Sequence, residues 1–284
     1  MIKFAIRNLL IYFKDAATVF LSFLGEFIIV GLYILFIRKN MLTNFSQLPQ
    51  ADCLIDSWMI AGLLSVTSFT TCLGAYGVMI EDKARGIKKD FFTSPIKKST
   101  LEGGYMLSAT FVGIIMSLIM LLFTQFYLYK TYNLQIDRIS LTRIWGILML
   151  NTLSNCSMVH LVVSMLKTNN ALATICTIFG SLLGFITGIY LPIGSLPTKV
   201  QIAVKSFPVS HSAVLIRQEI MSGPITKSFN GIDKSVLLSF EEYMGVRFKI
   251  NETFLTSTTH ILILISSAIL FWLISTIITK IKKT

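Results

Sequence analysis

Six long apolar runs, separated by shorter polar segments, make up most of the chain. We predict membrane-spanning helices at residues 16–36, 58–80, 105–129, 141–166, 171–191 and 258–278. Each run has about 20 residues or more, the length that a helix needs to cross the hydrocarbon core of a bilayer. Only 14% of the 284 residues are charged, against about 25% in soluble domains. The pattern predicts an all-α integral membrane protein with one transmembrane domain, residues 1–284.

Residues 1–15 precede the first run and have a different pattern. On a helix with about 100° per residue, Lys3, Arg7 and Lys14 project within about 40° of one another, beside a row of apolar side chains. This predicts an amphipathic helix that lies on an anionic membrane surface. A frayed terminus with chance periodicity is the alternative. The stretch lacks a small-residue cleavage site, so we do not expect a signal peptide.

The most charged stretch lies between the second and third runs, at residues 81–104. It holds six cations: Lys83, Arg85, Lys88, Lys89, Lys97 and Lys98. A short loop this basic is typical of the cytoplasmic side, which places both termini in the cytoplasm. Short loops and termini then carry 13 Lys and Arg inside and 5 outside. Arg38 and Lys39, directly after the first run, oppose this orientation.

The same stretch has a short helical pattern of its own. Gly86 interrupts the charged entry, residues 87–93 are predicted to form about two helical turns, and a Ser-Pro pair ends them. Ile87 and Phe91 fall on one face of this helix, with Phe92 beside them. An apolar face presented to the cytosol indicates a surface that binds another protein.

Residues 81–104 resemble the segment between the second and third spans of ABC-2 type permeases, the membrane subunits of ABC exporters. In that family an acidic residue, a Gly, a short apolar helix, a Ser-Pro-aliphatic sequence and a further Gly follow in this order. The matching positions are Glu81, Gly86, Phe91, Phe92, Ser94, Pro95, Ile96, and Gly103 or Gly104. Ile87 stands where the family often has Thr. The resemblance implies a coupling helix that docks into a cleft of a partner ATPase through Gly86, Ile87, Phe91, Phe92, Ser94 and Pro95.

The resemblance also implies an assembly and an activity. Two permeases, either two copies or this chain and a paralogue, are expected to associate with two ATPase subunits that bind ATP and Mg²⁺. This chain has no Walker motif, so we expect it to bind no cofactor and to hydrolyse no ATP alone. The expected function is export of an amphipathic drug, peptide or lipid by alternating access across the plasma membrane.

The net charge of +11 raises the question of a nucleic-acid partner. The cations fall largely in short loops and at the ends of the runs. Membrane orientation and contact with anionic lipid headgroups therefore explain them more simply, and we expect no nucleic-acid partner.

Polar residues inside the runs have two interpretations each. Glu26 lies near the middle of the first run, where a charged side chain facing lipid costs about 3 kcal/mol. It is either a substrate or proton contact or a hydrogen-bonded packing residue. The second run carries hydroxyls that either bond within and between helices or line a substrate path: Ser65, Thr67, Ser68, Thr70 and Thr71.

Gly180, Gly184 and Gly188 repeat every four residues in the fifth run. Such a stripe allows close approach of another helix. Packing within the chain and contact between two permease copies are both open. The resemblance implies a dimer interface that involves the first and fifth spans.

The long segment at residues 192–257 is expected on the extracellular side of the membrane. Its first part has two helix-length apolar stretches, residues 198–207 and 209–221, which are too short to span. They predict a re-entrant helical hairpin, and the resemblance points to Pro208 at its turn and Arg217 beyond it. Residues 222–257 are more polar and suggest no specific role.

Two other classes of function compete with a permease. An ion-coupled secondary transporter would use Glu26 and need no ATPase, but no inverted repeat is visible. An intramembrane enzyme needs clustered His, Asp or Glu, and only His211 and Glu219 lie near each other in sequence. The three His are dispersed, and His160 has no ligand partner at i±3 or i±4, so no metal site is predicted. The four Cys suggest neither a disulfide framework nor a metal pair.

Overall fold

The computed structural model describes residues 1–87, 98–250 and 252–281, which are helical apart from turns, loops and one small hairpin. The helices are α1 (Ile2–Lys14), α2 (Ala16–Leu32), α3 (Arg38–Asn44), α4 (Ala51–Ala75), α5 (Gly77–Ala84), α6 (Lys98–Tyr132), α7 (Arg138–Met165), α8 (Asn169–Ile186), α9 (Thr198–Ser206), α10 (Pro208–Ile220), α11 (Ser222–Ser228), α12 (Lys234–Tyr243) and α13 (Ser257–Ile281). A π-helical turn joins α2 to α3, and a 3-10 turn precedes α9: Tyr33–Ile37 and Ile193–Ser195. Antiparallel strands β1 (Lys249–Ile250) and β2 (Thr253–Phe254) precede α13.

Within the described residues, six helical stretches are long and apolar enough to cross a membrane, which confirms the predicted number. We refer to them as spans one to six: Ala16–Asn44, Ala51–Ala84, Ser99–Tyr132, Arg138–Met165, Asn169–Ile186 and Ser257–Ile278.

Several helices begin where the sequence supplies a polar cap. The Asp15 carboxylate accepts hydrogen bonds from the backbone N–H groups of Ala17 and Thr18. Asp137 caps α7 in the same way, and the Thr168 hydroxyl caps α8. These caps satisfy N–H groups that the first helical turn leaves free.

Two predicted boundaries are wrong. Residues 38–57, between the first two predicted spans, are expected from the sequence to form an external loop. Only residues 45–50 are non-helical, because span one remains helical to Asn44 and span two begins at Ala51. Span five ends at Ile186 rather than at residue 191. Gly188 adopts φ +71°, a left-handed conformation that terminates a helix at little cost only for glycine.

Span two forms the centre of the bundle. Its most apolar stretch is 78% buried, against 17% in spans one and six. Small residues permit this packing: a Cβ atom on Gly113 of span three would lie 2.7 Å from side-chain atoms of Cys72 and Thr152. Spans one, five and six surround the centre with apolar side chains exposed.

Helices α9 and α10 form where the sequence predicts two short helices, and they meet at Phe207 and Pro208. Pro208 occupies the first position of α10, where its missing N–H is not needed. Residues 208–217 are buried, because α10 packs against spans two, four and six. Beyond α10 the polar segment folds into α11, α12 and the hairpin.

Candidate functional site

The predicted coupling segment is flanked by a buried charge cluster at the end of span two. The Asp82 carboxylate, 3% exposed, accepts hydrogen bonds from Nη1 and Nη2 of Arg7 at 2.6 and 3.1 Å. It also accepts one from the Tyr105 hydroxyl at 2.6 Å. The hydrogen bond to Asp82 raises the pKa of the Arg7 guanidinium, which stabilises its charged form. This Asp82 cluster joins α1 and spans two and three.

Further contacts fasten the same region. The Phe4 and Tyr105 rings meet edge to face with centroids 4.9 Å apart, and a Cβ atom on Gly104 would lie 2.6 Å from the Phe4 ring. The Lys83 ammonium donates to the carbonyls of Val163 and Leu166 at the end of span four. The N-terminal helix therefore packs on the bundle, and Arg7 faces Asp82.

Two of the predicted coupling residues lie within the described part of the chain. Gly86 follows the end of α5 with φ +75°, a left-handed conformation that favours glycine, and Ile87 is helical and partly buried. Phe91, Phe92, Ser94 and Pro95 lie outside the described residues.

A second buried carboxylate lies near the opposite end of span two. Asp56 accepts hydrogen bonds from the hydroxyls of Tyr33 at 2.7 Å, Tyr127 at 2.7 Å and Tyr132 at 2.5 Å. Nε of Arg38 donates to it at 2.9 Å. This Asp56 cluster joins the ends of spans one, two and three.

Arg217 is fully buried in the last turn of α10. Its guanidinium donates to the carbonyls of Trp58, Gly245 and Thr187 at 3.5, 3.3 and 2.8 Å. The same group lies 5.0 Å from the centroid of the Trp58 ring. One side chain thereby holds α10 to span two, to the end of span five and to the segment after α12.

Comparison with known protein families decides the class of the protein. A family model described as "ABC-2 family transporter protein" matches residues 38–277, which is most of the chain. The chain belongs to the ABC-2 transporter family. A search of curated proteins found no match. As the membrane permease domain, the chain lacks ATPase activity, and nucleotide binding in such transporters resides on a separate ATPase.

In this ABC-2 permease the Glu26 side chain faces protein. It is 1% exposed, and its Oε1 accepts a hydrogen bond from the Thr70 hydroxyl at 2.8 Å. Its Oε2 is buried and has no hydrogen-bond partner among the described residues. The other hydroxyls predicted to pack or to line a path also bond within the protein: Ser65, Thr67, Ser68 and Thr71.

The three glycines of the permease's fifth span have different surroundings. A Cβ atom on Gly180 would meet open space. One on Gly184 would lie 2.2 Å from the Tyr190 ring, and Gly188 lies beyond the helix end. The continuous stripe of the sequence is therefore divided, and Gly180 alone of the three faces open space.

Two of the histidines that are dispersed in sequence meet in the permease. Nδ1 of His211 lies 2.6 Å from Nδ1 of His260, and Nε2 of His211 lies 2.8 Å from the Lys205 carbonyl oxygen. Burial lowers the pKa of His211 and favours its neutral form. Glu219 lies 3.5 Å from Arg143, away from this pair. Within the described ranges no three His, Cys, Asp or Glu side chains are placed to hold a metal ion.

Sequence reasoning missed Asp56 and Asp82 as organising residues. Both are among only 14 acidic residues. Each lies near the edge of an apolar run, where a charge that stays buried needs a partner. The tyrosines that supply their hydrogen bonds come from other spans, so the sequence order does not reveal the pairing.

Proposed function

We propose that this chain is the permease subunit of an ATP-driven exporter, which moves an amphipathic drug, peptide or lipid outward by alternating access. Membership of the ABC-2 family supports a partner ATPase. We further propose a second permease copy or paralogue, a plasma-membrane location and cytoplasmic termini. The proposed coupling loop is residues 81–104, and the interface helix is residues 1–15.

The observation that carries the coupling proposal is the Asp82 cluster. Residues 83–104 lie between Asp82 and Tyr105, and these two side chains share a hydrogen bond of 2.6 Å. If an ATPase displaced this segment, the movement would be transmitted to spans two and three through Asp82 and Tyr105. Arg7 and Lys83 extend the connection to α1 and to the end of span four. These contacts form a short mechanical path from the proposed docking site to the bundle.

Arg38 is one of two cations that oppose the proposed orientation. It lies 2.6 Å from Asp52 and 2.9 Å from Asp56, so its charge is paired within the protein. This pairing does not remove it from the positive-inside count, which depends on Lys and Arg and gives Asp and Glu little weight. The six cations of residues 81–104 outnumber Arg38 and Lys39, and the proposed orientation rests on that count.

The re-entrant hairpin remains part of the proposal. Residues 208–217 are buried among spans two, four and six, and Arg217 satisfies three carbonyls within the protein. A segment buried in this way avoids presenting polar groups to lipid. This supports insertion of α9 and α10 from the side opposite the coupling loop.

Co-purification with a candidate partner ATPase tests the coupling proposal. We expect Phe91→Ala/Phe92→Ala to lose the ATPase while the permease remains folded in the membrane. Phe123→Ala/Phe126→Ala is the matched control, because both side chains are exposed near the other end of span three. Retention of the ATPase by the first variant, or its loss from the control, would contradict the assignment.

An ion-coupled transporter is the second candidate, and a buried Glu26 whose Oε2 has no hydrogen-bond partner in the described part of the chain favours testing it. Glu26→Gln preserves an acceptor for Thr70 and removes the ionisable group. If the permease works through an ATPase, this variant keeps ATPase association and ATP-driven activity of the complex. If no ATPase associates with the permease and Glu26→Gln abolishes transport, the result supports ion coupling instead.

A further inference from the structure

A cavity of about 550 Å³ lies in the segment between spans five and six, apart from the coupling region. Its walls come from the end of α10, from α11, from the chain after α12 and from the start of span six. Cavities that bind small molecules typically have volumes of about 300–1,000 Å³. This cavity therefore has room for a small ligand.

One wall carries an ion pair between a nearly buried carboxylate and an exposed guanidinium. Nε of Arg247 lies 2.8 Å from Oε2 of Glu241, whose side chain is 9% exposed, whereas Arg247 is 46% exposed. The Glu241 oxygen has no well-directed hydrogen-bond donor in the described part of the chain, so charge alone holds the pair. Burial raises the pKa of the Glu241 carboxyl, which reflects the cost of keeping this charge away from water.

The rest of the cavity is a mixture of apolar and fixed polar groups. Ile225, Val246 and Leu255 supply apolar surface. The Gln218 amide donates to the Val246 carbonyl at 3.0 Å and accepts from the Ser257 hydroxyl at 3.1 Å. These two bonds hold Gln218 between α10 and span six, so the cavity wall is largely preformed.

We propose that this cavity binds a small zwitterion with an apolar side chain, such as a free apolar amino acid. Its ammonium would take the place of Arg247 beside Glu241, and its carboxylate would pair with the displaced guanidinium. The apolar side chain would contact Ile225 and Leu255. The proposal concerns residues of this chain alone and does not depend on the ATPase or the direction of transport.

Charge balance favours a zwitterion over a simple ion. A ligand with only a positive charge would pair with Glu241 and leave Arg247 without a counter-ion. A ligand with only a negative charge would draw Arg247 away and leave a buried carboxylate unpaired, which is costly. A ligand with both charges replaces the pair between Glu241 and Arg247 by two pairs, one with each residue. Neither side chain then loses its counter-ion.

Calorimetric titration of the full chain in nanodiscs at about pH 7 tests the proposal. The probes are leucine, 3-methylbutylamine and 4-methylpentanoate, which share the 3-methylbutyl chain. Leucine carries both charges, the amine carries only the positive charge, and the carboxylate carries only the negative charge. We expect saturable binding of leucine, and binding about 10- to 100-fold weaker for either single-charge analogue. Absence of saturable leucine binding, or equal binding of all three, would overturn the proposal.

Variants locate the binding. We expect Glu241→Gln and Arg247→Gln each to weaken leucine binding by about 10- to 100-fold. Thr226→Trp fills the cavity from an exposed lining position and should abolish binding without altering the ion pair. The matched control is Arg143→Gln, which removes the cation of another Arg–Glu pair outside the cavity. Equal loss in the control, or unchanged binding in folded Thr226→Trp, would contradict the site, and ATPase co-purification reports separately on the coupling proposal.

Discussion

Asp56 and Asp82 lie near opposite ends of span two, and each buried carboxylate accepts hydrogen bonds from one arginine and at least one tyrosine. At about 1.5 Å per residue they are about 40 Å apart, close to the full thickness of a bilayer with its headgroups. Spans one and three meet span two at the Asp56 cluster, and α1 and span three meet it at the Asp82 cluster. The central helix is thus fixed to its neighbours by charge near both membrane faces.

Replacing the carboxylate of the Asp56 cluster should be strongly destabilising. Asp56→Asn removes the charged acceptor of three tyrosine hydroxyls and leaves Arg38 paired with Asp52 alone. Loss of one partner of a buried ion pair costs about 3–5 kcal/mol. Thermal unfolding in detergent measures the change. Asp52→Asn is the matched control, because Asp52 is 58% exposed and pairs with the same arginine. Its expected cost is about 0–1 kcal/mol, and an equal loss in both variants would contradict the prediction.

The Asp82 cluster should matter for attachment of α1. Asp82→Asn removes the charged acceptor of Arg7 and Tyr105, at an expected cost of about 1.5–3 kcal/mol. Faster hydrogen exchange in residues 2–14, together with a lower unfolding temperature, is the expected result. Glu81→Gln serves as the control, because its pair with Arg85 lies on the surface. Unchanged exchange in α1 of Asp82→Asn would show that apolar packing alone holds the helix.

The Arg217 guanidinium should be difficult to replace, even with another cationic side chain. Lys has no planar guanidinium that reaches three carbonyls at once. Each buried carbonyl left unsatisfied costs about 1–3 kcal/mol, so Arg217→Lys should lower the unfolding temperature clearly. Arg143→Lys, at a position 63% exposed, should have little effect. Equal stability of both variants would contradict the structural role assigned to Arg217.

Because Gly180 and Gly184 have different surroundings, we expect alanine substitutions at the two positions to change stability differently. Gly184→Ala places a Cβ atom 2.2 Å from the Tyr190 ring, so the ring must move, at a cost of about 1–3 kcal/mol. Gly180→Ala meets open space and should stabilise the protein by about 0.5–1 kcal/mol, because glycine inside a helix is less favourable than alanine. Thermal unfolding of the two variants compares them directly.

A bulkier change at the same position tests contact between two permease copies. Gly180→Leu should leave the fold intact and weaken self-association, measured by light scattering after size-exclusion chromatography. Unchanged self-association in Gly180→Leu, with weaker self-association in a folded Gly184→Leu, would contradict this prediction.

Much of the fold follows from local sequence. Hydrophobic run length predicts six spans, because crossing a bilayer requires about 20 apolar residues whatever the neighbours are. Pro208 and the flanking apolar stretches predict α9 and α10 for a similar reason, since proline fixes the start of a helix. The predicted end of span one was wrong because a charged residue such as Arg38 suggests a loop. In the structure Arg38 stays in the helix, because Asp52 and Asp56 of span two pair with it.

The sequence by itself determined the class of the protein, the number of its spans and the resemblance of residues 81–104 to a coupling segment, because these depend on run length, spacing and local order. Only the tertiary structure decided that Asp56, Asp82 and Arg217 organise the bundle. It also decided that two distant histidines meet and that Glu241 and Arg247 share a cavity. These arrangements depend on side chains from different helices satisfying one another where water is excluded, and no local pattern records which helix supplies the partner.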